Sequence, residues 1–241
     1  MGAGHAHLLY RPGDSPVHRL PPQVKVLAAL TAVICVVATP RTEFWAFGGY
    51  LAVLLAVWAV ARVPVRWFAV RALIELPFAL LALGMLVFGG THGALAGWNI
   101  LAKGTLGLLV SLTLAATTTP ADLIVGLQRL RVPAMLTTVA TLMLRYLAVI
   151  AAEARRMRVA RIARGHNPRF LWQAGATARG IGALFVRSYE RGERVHLAMV
   201  SRGFTGTMPD PDAGAVAGWT WIRGLVPTAA AAGILAVALW A

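Results

Sequence analysis

Phe44-Trp45-Ala46-Phe47-Gly48-Gly49-Tyr50-Leu51-Ala52-Val53-Leu54-Leu55-Ala56-Val57-Trp58-Ala59-Val60-Ala61 holds no charged residue. An apolar run of this length, extended by its interfacial flanks, approaches the ~20 residues a helix needs to cross the ~30 Å hydrocarbon layer of a bilayer. Upstream, Val24 to Ala38 is uncharged after Lys25, and Thr39-Pro40-Arg41-Thr42-Glu43 separates the two runs as a tight polar turn. Downstream, a third run extends from about Leu73 to Gly89 with Glu75 and Pro77 near its start, a fourth from Trp98 to Ala116 with Lys103 near its start, and a last from Trp219 to Trp240. The pattern predicts an all-α integral membrane protein with about five transmembrane helices.

Composition agrees. Hydrophobic residues make up 58% of the 241, charged residues 13%, and the mean hydropathy is +0.68, whereas soluble domains average about 45–50% apolar and about 25% charged. The net charge of +14 does not make this a nucleic-acid binder, because the bases sit beside apolar spans rather than on one face of a soluble domain. The expected non-protein partner is the lipid bilayer. Cys35, the single cysteine, lies within an apolar run, so neither an intramolecular disulfide nor a thiol cluster for metal is available. The polar stretch before the first span is too long for a signal-peptide n-region, so that span is expected to be retained.

Residues 117–218 stand apart. They carry Arg129, Arg131, Arg145, Arg155, Arg156, Arg158, Arg161, Arg164, Arg169, Arg179, Arg187, Arg191, Arg194 and Arg202 against Asp122, Glu153, Glu190, Glu193, Asp210 and Asp212. Such an excess of basic residues marks the cytoplasmic side. The N-terminus with Arg11, Arg19 and Lys25 and the linker Arg62 to Arg71 fall on the same side, while the opposite turns carry only Arg41 with Glu43 and the uncharged Gly89 to Gly97 with His92. The expected organisation is therefore 1–116 as N-terminal segment and helices one to four, 117–218 as a cytoplasmic domain of long amphipathic helices, and 219–241 as a final membrane helix. The expected location is the cell membrane, crossed several times, with the N-terminus and residues 117–218 in the cytoplasm and the C-terminus outside. A sixth span over Ala134 to Ala152 would place Arg145 near mid-membrane, at a cost of ~2.5–3.5 kcal/mol, and send Arg155 to Arg164 outside. Five crossings are preferred, with partial embedding of that helix left open.

Helix signals within the segment are explicit. Thr119 can cap a helix that starts with Pro120 and carries Asp122 in its first turn, ending near Arg131-Val132-Pro133. From Ala134 the spacing of Leu136, Val139, Met143, Tyr146, Leu147 and Ile150 is helical, and the pattern then turns basic until Gly165 and Pro168. A further helical region spans about Arg169 to Arg202, with Gly175, Gly180, Gly182 and Gly192 as expected points of bending, and Arg187, Arg191 and Arg194 on one face, supported by Glu190 to Arg194. Two of these helices end alike, in Ala163-Arg164-Gly165 and Ser201-Arg202-Gly203. Arginine near a helix C-terminus satisfies the helix dipole without any partner, but two such ends on one side of the membrane point to a docking surface. The other basic residues, Arg155 to Arg161 foremost, suit water or lipid headgroups.

Other candidates are weaker. His5, His7 and His18 offer two alternating ligands without a third, a poor metal site, so no metal or cofactor is assigned to this chain. Glu75, His92 and Lys103 could line an ion path, yet they fall toward span ends, where snorkelling accounts for them. Trp98, Trp219, Trp221 and Trp240 suit interfacial anchoring. No G-x-x-x-x-G-K-[ST] phosphate loop is present, and neither Lys25 nor Lys103 has that context. The chain is expected not to be an enzyme. A self-contained channel or membrane enzyme is the competing class, and the spans are nearly bare of the polar groups either would need.

The paired Arg-Gly ends, the run Arg187-Ser188-Tyr189-Glu190-Arg191-Gly192-Glu193-Arg194-Val195, and His18-Arg19-Leu20-Pro21-Pro22-Gln23-Val24-Lys25 together resemble the transmembrane T component of energy-coupling-factor transporters, most of all its cobalt branch, the CbiQ family. The resemblance implies a coupling subunit of an ATP-driven importer. Ala163, Arg164, Gly165, Ser201, Arg202 and Gly203 would dock into two cytoplasmic ABC-type ATPase subunits, and a separate membrane S component would bind the substrate. ATP would be bound by the ATPases. Cobalt ion would be cargo held by a partner subunit, with nickel or a vitamin as alternatives on the same scaffold. Ser201 stands where the general pattern has alanine.

Overall fold

The computed structural model describes residues 10–64, 73–166, 175–208 and 218–240. His5, His7, Arg66, Arg71, Arg169, Asp210 and Asp212 lie outside the described residues. Among those described the secondary structure is helical without strands: α1 (Pro22–Ala38), α2 (Phe44–Ala61), a 3-10 turn (Leu73–Glu75), α3 (Leu76–Phe88), α4 (Gly90–Thr117), α5 (Pro120–Arg129), α6 (Ala134–Ala163), α7 (Gly175–Val200) and α8 (Gly218–Trp240). They form two compact units, one within His7–Leu130 and Asp212–Ala241, the other within Arg131–Pro211. The basic segment expected over 117–218 is thereby divided, because α5 packs on α1 in the first unit.

The first unit is a bundle of α1, α2, α3, α4 and α8 whose directions alternate. Trp58 donates to Thr113 Oγ1 at 2.6 Å and Phe44 meets Trp98 with ring centroids 5.9 Å apart, so α2 and α4 run together. α1 opposes both. α8 starts beside the start of α1, where a Cβ on Gly224 would collide with Val24, and its later turn puts Ile234 against Gly49. The end of α4 and the start of α8 thus lie at the same end of the bundle as the start of α1.

Apolar burial provides little drive between helices in lipid, so approach of backbones and internal hydrogen bonds hold such a bundle together. α3 and α4 show this most clearly. Gly90, at φ 58°, lets the chain reverse immediately after Phe88. Gly93 and Gly97 then lie four residues apart on one face of α4, against α3. A Cβ on Gly97 would sit 2.7 Å from the Ala82 carbonyl oxygen, and one on Gly93 would strike that of Met85. The expected outside loop Gly89 to Gly97 is therefore a two-residue reversal followed by helix. That spacing of glycines, small-xxx-small, needs a partner backbone before it has meaning.

The core divides into two clusters. Cys35, Val36, Phe47, Tyr50, Leu106 and Ala231 make one, and Leu54, Trp58, Leu109, Leu112 and Ala116 the other. Tyr50 hydroxyl shares a 2.9 Å hydrogen bond with Thr39 Oγ1, which donates to the Cys35 carbonyl at 2.8 Å, so the polar tip of a buried tyrosine is absorbed by the end of α1. α5 opens as its sequence foretells. Thr119 Oγ1 accepts from the Asp122 amide at 3.1 Å, with Pro120 in the first turn. Gly126 then lets α5 touch the backbone of Pro22 and Gln23.

Among the described residues, four helices are long and apolar enough to cross a membrane: Phe44–Ala61, Gly93–Thr117, Ala134–Ala163 and Gly218–Trp240. Pro22–Ala38 and Leu76–Met85 are shorter apolar helices. Three of the four coincide with expected spans. The fourth, α6, qualifies through its apolar N-terminal half and continues into the basic half without a break.

The second unit contains α6, of 30 residues, and α7, of 26. They pack antiparallel. Glu153 of α6 accepts from Arg187 of α7 at 2.8 Å and from its own neighbour Arg156 at 2.9 Å, while Gly180 faces Met157 and Arg161. The segment after α7 returns to the start of α6, where Thr138 Oγ1 donates to the Gly206 carbonyl at 3.3 Å. Contrary to expectation, α7 passes Gly180, Gly182 and Gly192 without interruption, because each lies at a negative φ that helix accepts.

Candidate docking site at two helix ends

α6 and α7 stop in the same way. Gly165 has φ 79° and Gly203 φ 82°, conformations that side-chain-bearing residues seldom adopt. At the first end the Gly165 amide donates to Ile162 O at 2.9 Å and the His166 amide to Arg161 O at 3.1 Å. At the second the Gly203 amide donates to Val200 O at 2.9 Å and the Phe204 amide to Met199 O at 3.0 Å. These are paired 5→2 and 6→1 bonds, the Schellman arrangement, formed twice with the same register. Glycine is the residue best suited to each stop. In both, the arginine directly precedes the glycine of the stop and follows a small residue.

The six residues Ala163, Arg164, Gly165, Ser201, Arg202 and Gly203 are all exposed. Ser201 Oγ bonds back to Ala198 O at 3.1 Å, so its hydroxyl is consumed locally and the position behaves as a small residue. Neither Arg164 nor Arg202 has an ion-pair partner among the described residues. Both arginines are exposed to solvent, each beside a glycine stop. The antiparallel packing then sets their separation. Arg164 ends α6, whereas the segment just beyond Arg202 lies near Thr138, and the length of α6 between these points is roughly 39 Å at ~1.5 Å per residue. The two ends are therefore far apart rather than adjacent.

Other residues singled out from sequence take structural places. Lys103 lies in the middle of α4 and donates at 2.8 Å to both Val37 O and Thr39 O, closing the end of α1 rather than snorkelling. Glu75 is buried and accepts from Thr105 Oγ1 at 2.9 Å. His18 is held by Ser15 Oγ at 2.7 Å and Arg11 O at 3.2 Å, and its partial burial pushes its pKa below the ordinary histidine value. No group of three metal-ligating side chains occurs among the described residues. Arg145 lies over the Tyr146 ring at 5.8 Å, and Arg187 pairs with Glu153 on the neighbouring helix.

Sequence inspection alone missed the junction built by His18 to Lys25. Lys25 Nζ donates to His18 O and to Thr117 O, both at 2.8 Å, tying the N-terminal turn, α1 and the end of α4 into one corner. The motif was visible; its work as a staple was not, because both acceptors are backbone carbonyls.

The family model of the cobalt transport protein CbiQ matches residues 13–212, taking in that staple, most of the bundle and both Arg-Gly ends. The chain belongs to the CbiQ family. A cobalt transport protein CbiQ from Rhodobacter capsulatus is 32% identical over 167 residues, covering 66% of this chain and 68% of the relative. Energy-coupling factor transporter transmembrane proteins EcfT from Bacillus selenitireducens and Clostridium kluyveri are 29% and 24% identical, each over 82% of both chains. Membership in the CbiQ family makes the chain a membrane component of a transporter of the energy-coupling-factor type.

Proposed function

We propose that this CbiQ-family chain couples two cytoplasmic ABC-type ATPase subunits to a separate substrate-binding membrane subunit, with cobalt ion as the cargo. The observation that carries the reading is the duplication of one helix stop, each presenting a solvent-facing arginine without an ion-pair partner among the described residues. A guanidinium can bind a carboxylate or a helix-end carbonyl through several directed bonds and so transmit force, as lysine's single ammonium does poorly. Their separation along α6 suits one docking point per ATPase. Nucleotide binding and hydrolysis would move the ATPases, α6 and α7 would follow, and the bundle would reorient or release the substrate-binding subunit. Cobalt comes from the name of the family and of the Rhodobacter relative.

The bundle supports a topology for this role. Segment 118–217 leaves α4 and enters α8 at one end of the bundle, so it crosses the membrane an even number of times. α6 is apolar enough for one crossing, but α7 is not among the helices able to bring the chain back. A segment without crossings agrees with the concentration of arginine, which favours the cytoplasm for both Arg-Gly ends. The N-terminus shares it and the C-terminus lies outside. Purification from the native membrane, with bound proteins identified and cobalt uptake measured, tests the reading. ATPases and a second membrane subunit should accompany the chain; a transport-competent preparation lacking any ATPase would overturn it.

A further inference from the structure

The bundle unit contains an open-sided groove of about 960 Å³ bordered by α1, α2, α4 and α8, at the upper end of the ~300–1,000 Å³ typical of small-ligand sites. Its walls are largely aliphatic, with Ala28 and Ala32 on α1, Val53 and Val57 on α2, and Ala230 on α8. Charged groups border it as Asp14, Arg19, Lys25 and Arg223, all in or beside the starts of α1 and α8. Formal charge is therefore confined to one end of a largely apolar trough.

These four are not equivalent. Lys25 is committed to two carbonyls. Arg19 is held by Asp14 through Nε and Nη2, each at 2.7 Å, which leaves Nη1 outside the pair. Arg223 lies 4.9 Å from the centroid of the Trp219 ring and has no carboxylate partner among the described residues. Three cations against one carboxylate leave this end positive. The trough asks for a ligand with an anionic head and a long apolar body.

We propose that this groove holds an acidic phospholipid, its phosphate between Arg223 and Arg19 and one acyl chain along α1 and α8. Charge complementarity selects this occupant. A zwitterionic lipid would bring an ammonium close to three protein cations, and an apolar partner helix would leave Arg223 without an anion. Free phosphate would fill only the charged end and leave the apolar trough empty. The surrounding bilayer supplies the ligand continuously, and basic residues near a membrane surface favour acidic lipid. The proposal does not depend on what the chain transports.

The test uses the purified chain reconstituted in nanodiscs of mixed phosphatidylglycerol and phosphatidylcholine, with the retained lipids counted by native mass spectrometry. Phosphatidylglycerol should be enriched over phosphatidylcholine by a factor of roughly five for each arginine engaged. Arg223→Gln and Arg19→Gln should each reduce the enrichment, and the pair should abolish it. Arg223→Lys should keep part of it. Ala32→Trp should lower retention of lipid of either kind, and added inorganic phosphate should not displace it. Equal retention of the two lipids, or enrichment that survives the double substitution, would overturn the proposal. So would displacement by inorganic phosphate, or crosslinking of Ala32→Cys to a protein partner in place of lipid.

Discussion

Lys25 and Lys103, the only lysines in the chain, each close the end of the other's helix. Lys25 of α1 donates to Thr117 O at the end of α4, and Lys103 of α4 donates to Val37 O and Thr39 O at the end of α1, all at 2.8 Å. The last carbonyls of a helix have no internal partner, and in lipid no water can substitute. One antiparallel pair thus supplies both of its own caps, and each ammonium sits on helix-end carbonyls, with Asp122 also close to Lys25.

Removing either donor should destabilise the bundle. Lys25→Met strands two carbonyls in a buried corner and should cost about 1.5–3 kcal/mol, with Lys103→Met somewhat less because its ammonium is more accessible. The two sites lie more than ~10 Å apart along α1, so the double variant should be close to additive. Unfolding in detergent measures this, and unchanged stability in both single variants would contradict the assignment.

His18 makes the N-terminal turn sensitive to acid. Burial lowers its pKa in the folded chain, so the unfolded chain takes up the proton first. The contribution is complete above the ordinary histidine pKa of about 6.5 and is lost as pH falls through that value toward the lower folded one. Melting temperature followed across this range should fall for the native chain and stay flatter for His18→Gln. Parallel curves would count against it.

Glycines in the two units should respond in opposite directions. Gly224→Ala puts a methyl into Val24 and should destabilise the contact between α1 and α8, whereas Gly182→Ala on α7 meets open space and should stabilise by about 0.5–1 kcal/mol through helix propensity. Thermal unfolding of the two variants decides it, and a shared sign would not fit the packing described.

Much of this was readable beforehand, and the exceptions have physical reasons. The apolar runs, the Thr119-Pro120-Asp122 start and both glycine stops depend on neighbouring residues, so periodicity and cap chemistry reveal them. The close approach at Gly93 and Gly97, and the work of Lys25 and Lys103, depend on carbonyls of a second helix, which residue pattern does not display. α7 misled for a related reason. Glycine lowers helix propensity, but the contact of Gly180 with Met157 and Arg161 and the bond from Arg187 to Glu153 are tertiary. At the candidate site the stops were visible as sequence; their shared hydrogen-bond register and their separation along α6 required the fold.

The glycine at each stop should matter apart from the arginine. Gly165→Ala or Gly203→Ala forces a side chain into the left-handed region at a cost of roughly 1–2 kcal/mol, fraying the end that presents the guanidinium. Hydrogen exchange should quicken over the last turn of the affected helix while the other end stays protected. Equal protection in variant and native chains would show that the stop does not depend on glycine.

Arg164 and Arg202 have the proposed role of transmitting ATPase motion. The most direct measurement of that role is ATP-driven cobalt uptake by the reconstituted complex carrying Arg164→Ala and Arg202→Ala together, with ATP hydrolysis and subunit assembly followed in the same vesicles. The account predicts that the chain inserts normally while uptake collapses, through loss of either ATPase binding or the link between hydrolysis and transport. Native uptake and assembly in that double variant would contradict it.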